Sequence, residues 1–338
     1  MTQDRPGRNL IFICDGTLST TRTGYESNAG LLHGLLSSEG SGAASQIVAY
    51  DRGVQGSGWR RWLNAASGLG INLSIRNGYA FLARTYEPGD RIYLFGYSRG
   101  AYSVRSLAGM IGGIGLLKSN YATERHVNLA FRFYEVGSTS TACRHFSTHR
   151  CHQGIQVEML GVWDTVKTLG LPYPVLNRLA PMATEFHNDE LAPHIQHGYH
   201  ALAIDEDRTS FAPLLWKQSR DWQGRLEQTW FPGAHADVGG QISHKRTRPL
   251  SNISLNWMLR RADAHGLTLP EGWASMFPED ATAPMIGSRS GTARLFVLRA
   301  PRQTGTSDGE TIHLSIRERM RAQPRYRPRG NLTAEESA

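Results

Sequence analysis

Cysteine is scarce: Cys14, Cys143 and Cys151 are the only three in 338 residues. Three thiols cannot form a disulfide framework, so the chain reads as one made in a reducing, cytoplasmic compartment. No apolar run reaches the roughly 18 residues that a membrane-spanning helix needs. The longest such stretch, Leu107–Leu117, is broken by four glycines and reads as a buried helix. Met1–Arg8 is polar and lacks the apolar core of a signal peptide, so any export would be non-classical. Charge of one sign is not in large excess: 37 Lys and Arg stand against 29 Asp and Glu, a net of +8 spread along the chain, and no nucleic-acid partner is expected. The exception is the tail, where six arginines fall between Arg317 and Arg329 against the single Glu318. That run reads first as a solvated basic end.

With 40% hydrophobic and 20% charged residues the chain is ordinary for a folded protein, and its 36 glycines point to tight turns and close backbone approaches. Asn9–Cys14 is a short apolar run closed by Asp15-Gly16-Thr17, the pattern of a buried parallel strand. Further strands are expected at Gln46–Tyr50, Arg91–Gly96, Ile155–Trp163 and Leu226–Phe231. Helices are expected at Asn72–Tyr86 and Asn252–His265, the second with Ser251 as N-cap, and a short one at Ile312–Met320. Strands alternating with helices predict an α/β protein with a mostly parallel, doubly wound sheet. The stretches 118–153 and 167–197 are too long for plain connections and read as helical insertions near the active site, candidates for a cap.

The segment that carries chemistry is Tyr93-Leu-Phe-Gly96-Tyr-Ser98-Arg-Gly100-Ala. Gly-x-Ser-x-Gly alone is common, but here an apolar strand leads in and a small-residue helix leads out. That is the setting of a nucleophile elbow, with Ser98 in a strained turn. The N–H of Arg99, at the helix N-terminus, would face a developing oxyanion. A serine nucleophile needs a base and an acid, in chain order Ser, Asp or Glu, then His. Asp164 closes one apolar strand and His235 follows another in a glycine-rich loop, so Ser98, Asp164 and His235 are the expected triad. Among thirteen histidines, His313 is the second choice of base, and His200 is expected to be structural, on a helix. Asp237 is the alternative acid, although it would more naturally brace the His235 loop. Gly16 or Thr17 would supply a second oxyanion donor. Asp15-Gly16-Thr17 also begins like an aspartyl-phosphate site, but that chemistry needs a second Asp where Thr17 stands.

Asp15-Gly-Thr, Leu-Phe-Gly-Tyr-Ser-Arg-Gly-Ala-Tyr, Gly-Val-Trp-Asp-Thr-Val and Trp-Phe-Pro-Gly-Ala-His-Ala-Asp-Val-Gly-Gly occur here in order. Over about residues 8–265 the chain resembles the α/β-hydrolase family known as domain of unknown function 2235, which includes the class 1 phospholipase effectors of type VI secretion. The resemblance implies an α/β-hydrolase fold and a serine lipase or esterase with Ser98, Asp164 and His235 as triad. An effector would also have a secretion carrier and an immunity protein as partners. One departure is visible: after Val-Gly-Gly the family tends to a third glycine and an aromatic, whereas this chain has Gln241-Ile242.

The expected function is therefore hydrolysis of carboxylic esters, with a lipid or small ester as substrate, contact with a membrane surface, and no cofactor or metal. The alternative is a catalytically idle binding module that kept the fold and uses its basic tail. Residues 8–275 are expected to form the catalytic domain and 276–338 a basic, partly irregular C-terminal extension. Cys143, His145, His149, Cys151 and His152 crowd ligand-type side chains into ten residues, but without the paired spacing of structural zinc sites. That segment is expected to be an exposed basic loop.

Overall fold

The computed structural model describes residues 7–16, 24–37, 46–53, 69–137, 139–166, 190–242 and 244–332. Seven strands make one sheet in the order β2-β1-β3-β6-β7-β8-β9. They are β1 Asn9–Cys14, β2 Gln46–Asp51, β3 Arg91–Tyr97, β6 Val157–Trp163, β7 Ile195–Ala203, β8 Arg225–Phe231 and β9 Glu310–Ile312. Every neighbouring pair in this sheet is parallel. β4 (Leu116–Leu117) and β5 (Cys151–His152) form a small antiparallel pair apart from it.

Strand periodicity explains the layering. In β1, Leu10, Phe12 and Cys14 enter one core while Ile11 and Ile13 enter the other, so the continuous apolar run serves both faces. The first face is covered by helices α2 (Leu69–Thr85) and α3 (Arg99–Ile114), which pack together with Ile75, Tyr79, Tyr102 and Leu107 inside. The second is covered by α1 (Asn28–Ser37), α6 (His235–Gly239) and α7 (Arg248–Ala264). Pro249 sits in the first turn of α7, where a missing N–H costs no bond, so that helix starts ahead of Ser251 and Thr247 is its N-cap.

The 118–153 stretch is helical, as expected: α4 (Glu124–Glu135) and α5 (Thr141–Arg150). Ser147 Oγ donates to Ile114 O and Tyr134 packs over Gly109, so this layer rests on the end of α3 away from Ser98. It does not form a cap. In the second insertion, residues 167–189 lie outside the described residues. Beyond 275 the chain is only partly irregular, because β9 joins the sheet and α8 (Leu314–Ala322) packs Ile316 against Leu202 and Trp230. Among the described residues, no helix is long and apolar enough to cross a membrane.

Chain order reverses between β1 and β3, since β1 is followed outward by β2 and β3 is followed in the other direction by β6. In open parallel sheets such a switch point leaves a crevice at the carboxyl ends of the strands. Asp15 and Gly16 leave β1 at this crevice and Ser98 leaves β3 beside them.

Candidate active site

Ser98 follows β3 with φ 59° and ψ −120°, and Asp164 follows β6 with φ 42°. Among the described residues they are the only non-glycine positions with positive φ. Backbone strain of this kind persists where the surroundings over-determine it. Ser98 N–H donates to Trp163 O at 2.9 Å, tying the two strand ends together. The glycines flanking the serine are sterically required. A Cβ at Gly100 would lie 2.2 Å from Cys14 O, and one at Gly96 would lie 2.6 Å from Gly100 O. The turn therefore folds down onto β1 and its own helix only because both positions lack a side chain.

His235 opens α6 and bridges the other two residues. Its Nε2 is 2.8 Å from Ser98 Oγ and its Nδ1 is 2.6 Å from Asp164 Oδ2. The three side chains are nearly inaccessible, at 5%, 4% and 0% exposure for Ser98, His235 and Asp164. Tyr97 lies beneath the imidazole, ring centroids 5.0 Å apart, and Phe211 meets it edge-on, also at 5.0 Å. Tyr97 also explains Gly239 behind His235: a Cβ there would fall 1.9 Å from its ring. Gln241, where the sequence departs from the family pattern, accepts from Tyr97 Oη at 3.4 Å. Asp237 braces the loop as expected, accepting from the N–H groups of Ala234, Ile286 and Gly287.

Asp164 has a partner that sequence reading missed. Arg302 reaches it with both terminal nitrogens, Nη1 to Oδ1 at 2.5 Å and Nη2 to Oδ2 at 3.0 Å. Ala203 N–H adds a third donor to Oδ1 at 3.0 Å. Burial alone would raise the Asp164 carboxyl, but the charge of Arg302 and the contacts with His235 outweigh it and hold the carboxyl far below the usual range. The guanidinium is itself buried and also donates to Ala203 O and Phe211 O. No sequence motif marks Ala300-Pro301-Arg302-Gln303.

The acidic run Asp205-Glu206-Asp207 just past the end of β7 is a second feature without a sequence motif, and all three residues are buried. Asp205 accepts from Gly233 N–H, and Glu206 accepts from His235 N–H at 3.2 Å and from Arg208. These bonds fix the start of the His235 loop from the neighbouring strand.

The remaining sequence expectations fall as follows. Gly16 packs against the nucleophile turn, where a Cβ would be 3.4 Å from Ser98 Cβ, and its N–H donates to Asp15 Oδ1 at 2.6 Å. Thr17 lies outside the described residues. Arg99 N–H stands at the first position of α3, where helix N–H groups have no intrahelical acceptor. His313 caps α8 and stacks on Phe231, so it is not the residue beside Ser98. His200 is structural but sits in strand β7, not a helix, and accepts from Thr165 N–H. Burial pushes its imidazole down to about 3.

The Cys143–His152 segment is helix α5 running into β5, not an exposed loop. Ser140 caps the helix, and both cysteines enter the core while His145 and His149 stack outside. Among the described residues, one group places metal-type ligand atoms within 4.8 Å of one another, Glu158, His197 and His265, at the opposite edge of the sheet. The two rings stack 3.6 Å apart, and Tyr199 Oη bonds His265 Nε2 at 2.7 Å. Stacked rings aim their lone pairs side by side rather than at one ion, so this reads as a hydrogen-bonded stack.

The family described as T6SS phospholipase effector Tle1-like, catalytic domain, matches residues 8–261, and the chain belongs to it. The uncharacterized protein YEL023C of Saccharomyces cerevisiae is 30% identical over 234 residues, which is 62% of this chain and 32% of that protein. Among solved structures, an uncharacterized protein from Pseudomonas aeruginosa is similar at 16% identity, with TM-score 0.44, covering 81% of this chain and 49% of its own. A Tle1 effector bound to the VgrG spike of the type 6 secretion system is similar at 18% identity, with TM-score 0.33, covering 70% and 52%. The chain thus spans about a third of the yeast relative and about half of each solved chain.

Proposed function

We propose that this chain is a serine hydrolase of carboxylic esters, with a phospholipid or related lipid as its substrate. The observation that carries the reading is the single imidazole held between a strained serine and a buried carboxylate, 2.8 Å from Ser98 Oγ and 2.6 Å from Asp164 Oδ2. Family membership supports the lipid class of substrate.

In this reading Ser98 Oγ attacks the acyl carbonyl and passes its proton to His235 Nε2. His235 Nδ1–H remains bonded to Asp164, whose carboxylate faces the imidazolium as it forms. The tetrahedral oxyanion develops toward Arg99 N–H at the positive end of α3. Gly16 allows the close backbone approach beside it, and Thr17 is the proposed second donor. Collapse breaks the ester C–O bond, and the alcohol leaves with the proton from His235. Water then gives a proton to His235 and attacks the acyl-serine, releasing the acid and restoring Ser98. Membership in a secretion-effector family supports a secretion carrier and an immunity protein as partners.

Two measurements test the reading: labelling by a fluorophosphonate probe, and release of fatty acid from phospholipid vesicles. Wild type should do both and Ser98→Ala neither. Vesicle hydrolysis unchanged in Ser98→Ala would overturn it.

A further inference from the structure

The arginines that reach Asp207 form a built cavity beside the proposed site. Arg289 donates through Nε and Nη2 to Asp207 Oδ2, Arg329 Nη1 donates to the same oxygen at 2.8 Å, and Arg299 Nη1 donates to Oδ1. Ser288 Oγ, itself buried, completes the shell at 2.6 Å. Burial would raise the Asp207 carboxyl, yet Ser288 and the guanidiniums hold it well below the usual range. These residues, with Ala300 and Pro301, line a cavity of about 460 Å³. Three guanidiniums against one carboxylate leave it a net charge of 3 − 1 = +2.

One carboxylate cannot satisfy three forks. Among the described residues, Arg289 Nη1 and the Nε and Nη2 of Arg329 are left over for an incoming acceptor, and the side chains of these two arginines are 62% and 38% exposed. Asp207 meanwhile holds the guanidiniums in place before anything binds, which lowers the ordering cost of binding. A net +2 with free forks suits a phosphate group, which is dianionic or nearly so and accepts from arginine in bidentate fashion.

Position gives the cavity its meaning. Asp207 follows Glu206, whose carboxylate accepts from His235 N–H, and adjacent Cα atoms are about 3.8 Å apart. On the other wall, Pro301 precedes Arg302, the partner of Asp164. We propose that this cavity binds the phosphate of a phosphate ester, either on a lipid headgroup or free in solution. The headgroup version rests on the hydrolase reading above, with the acyl ester at Ser98 and the phosphate at the arginines. The tail arginines then divide. Arg329 belongs to the cavity, while Arg325 and Arg327 are exposed and Arg327 bonds backbone oxygens of Pro324 and Tyr326.

The test is calorimetric binding of inorganic phosphate and of glycerol 3-phosphate to the full chain, with thermal midpoints as a check on folding. Wild type should bind saturably and gain thermal stability with phosphate. Arg289→Gln and Arg329→Gln should each weaken binding by about tenfold, the loss of one charge-assisted contact. The pair Arg325→Gln with Arg327→Gln should leave binding unchanged. Neutral-lipid vesicles with and without phosphatidic acid separate the two sources. Vesicle binding that needs phosphatidic acid and is displaced by inorganic phosphate assigns the cavity to a headgroup, and phosphate binding without that competition assigns it to a free ester. No saturable phosphate binding by wild type, or binding weakened only by the Arg325 and Arg327 changes, would overturn the proposal. Failure of the hydrolase reading is seen separately, as absence of fluorophosphonate labelling at Ser98.

Discussion

Replacing Arg302 by Met should damage both stability and turnover, for reasons that can be separated. Arg302 is 6% exposed, Asp164 0%, and their side chains share two hydrogen bonds. Removing one partner of such a pair leaves a charge buried and uncompensated, which typically costs about 3–5 kcal/mol. At about 2–4 °C per kcal/mol for domains somewhat smaller than this one, the thermal midpoint should fall by roughly 5–15 °C. Without Arg302, the largest influence opposing burial at Asp164 is gone and its carboxyl rises. A carboxyl depressed in the folded state contributes stability above its unfolded value of about 3.9 and loses it as pH falls through the folded value. Wild type should keep this contribution to lower pH, and Arg302→Met should begin acid unfolding at higher pH.

A double-mutant cycle isolates the pair. Asp164→Asn alone strands the Arg302 charge, whereas Asp164→Asn with Arg302→Met removes both charges and should be more stable than the sum of the single losses. In ester hydrolysis the Arg302→Met loss should fall on kcat with KM nearly constant, because the side chain orients Asp164 and touches no substrate. Denaturant unfolding and steady-state kinetics on a short soluble ester supply the data. Additive losses in the cycle, or a single-variant cost below about 1 kcal/mol, would refute the view that Arg302 holds Asp164 in place.

The other expectations are simpler. His235→Ala should cost nearly as much ester turnover as Ser98→Ala, since the proposed mechanism joins both in one proton-transfer unit, and a His235→Ala enzyme of near-normal rate would refute that. Gly100→Ala drives a Cβ to 2.2 Å from Cys14 O, so denaturant unfolding should show a loss of at least about 1–3 kcal/mol. Cys151 is buried, which pushes its thiol up to about 11, so native protein at pH 8 should react with iodoacetamide far more slowly than unfolded protein, as read by mass spectrometry.

What the sequence revealed follows from how each element is buried. β1, β3 and β6 are apolar on both faces, so their runs stand out, and the serine turn is marked because only glycine fits at 96 and 100. β7 escaped notice because His197, Gly198 and His200 interrupt its run, although His200 is buried and neutral and behaves there as a core residue. The start of α7 was misplaced because Ser251 looks like a cap, while the real first turn is set by Pro249. The cysteine-histidine cluster looked like a loop because its composition is polar, yet one face carries Cys143 and Phe146 into the core. That Ser98, Asp164 and His235 meet was legible because each follows a strand at the same carboxyl edge of the parallel sheet. Arg302 was not, because a buried ion pair across 138 residues leaves no local pattern.

The site is divided along the chain. Residues 8–261, the part that matches the family, contain the serine, the imidazole, the carboxylate and the elbow helix. The same part supplies Arg208 to buried Glu206, but the positive charges that compensate Asp164 and Asp207 come from elsewhere: Arg302 on Asp164, and Arg289, Arg299 and Arg329 on Asp207, all lie beyond residue 261. The segment supplying them is fastened by β9 along β8 and by Ile316 packing against Leu202 and Trp230. Strand ends bring Ser98, Asp164 and His235 together, but the same edge also gathers buried carboxylates, here Asp15, Asp164, Asp205, Glu206 and Asp207. Buried together without counter-charges they would raise one another's pKa values and oppose ionisation. In this chain the later segment provides those counter-charges for Asp164 and Asp207, so the basic character of the C-terminal region is in part a structural requirement of the acidic edge it covers.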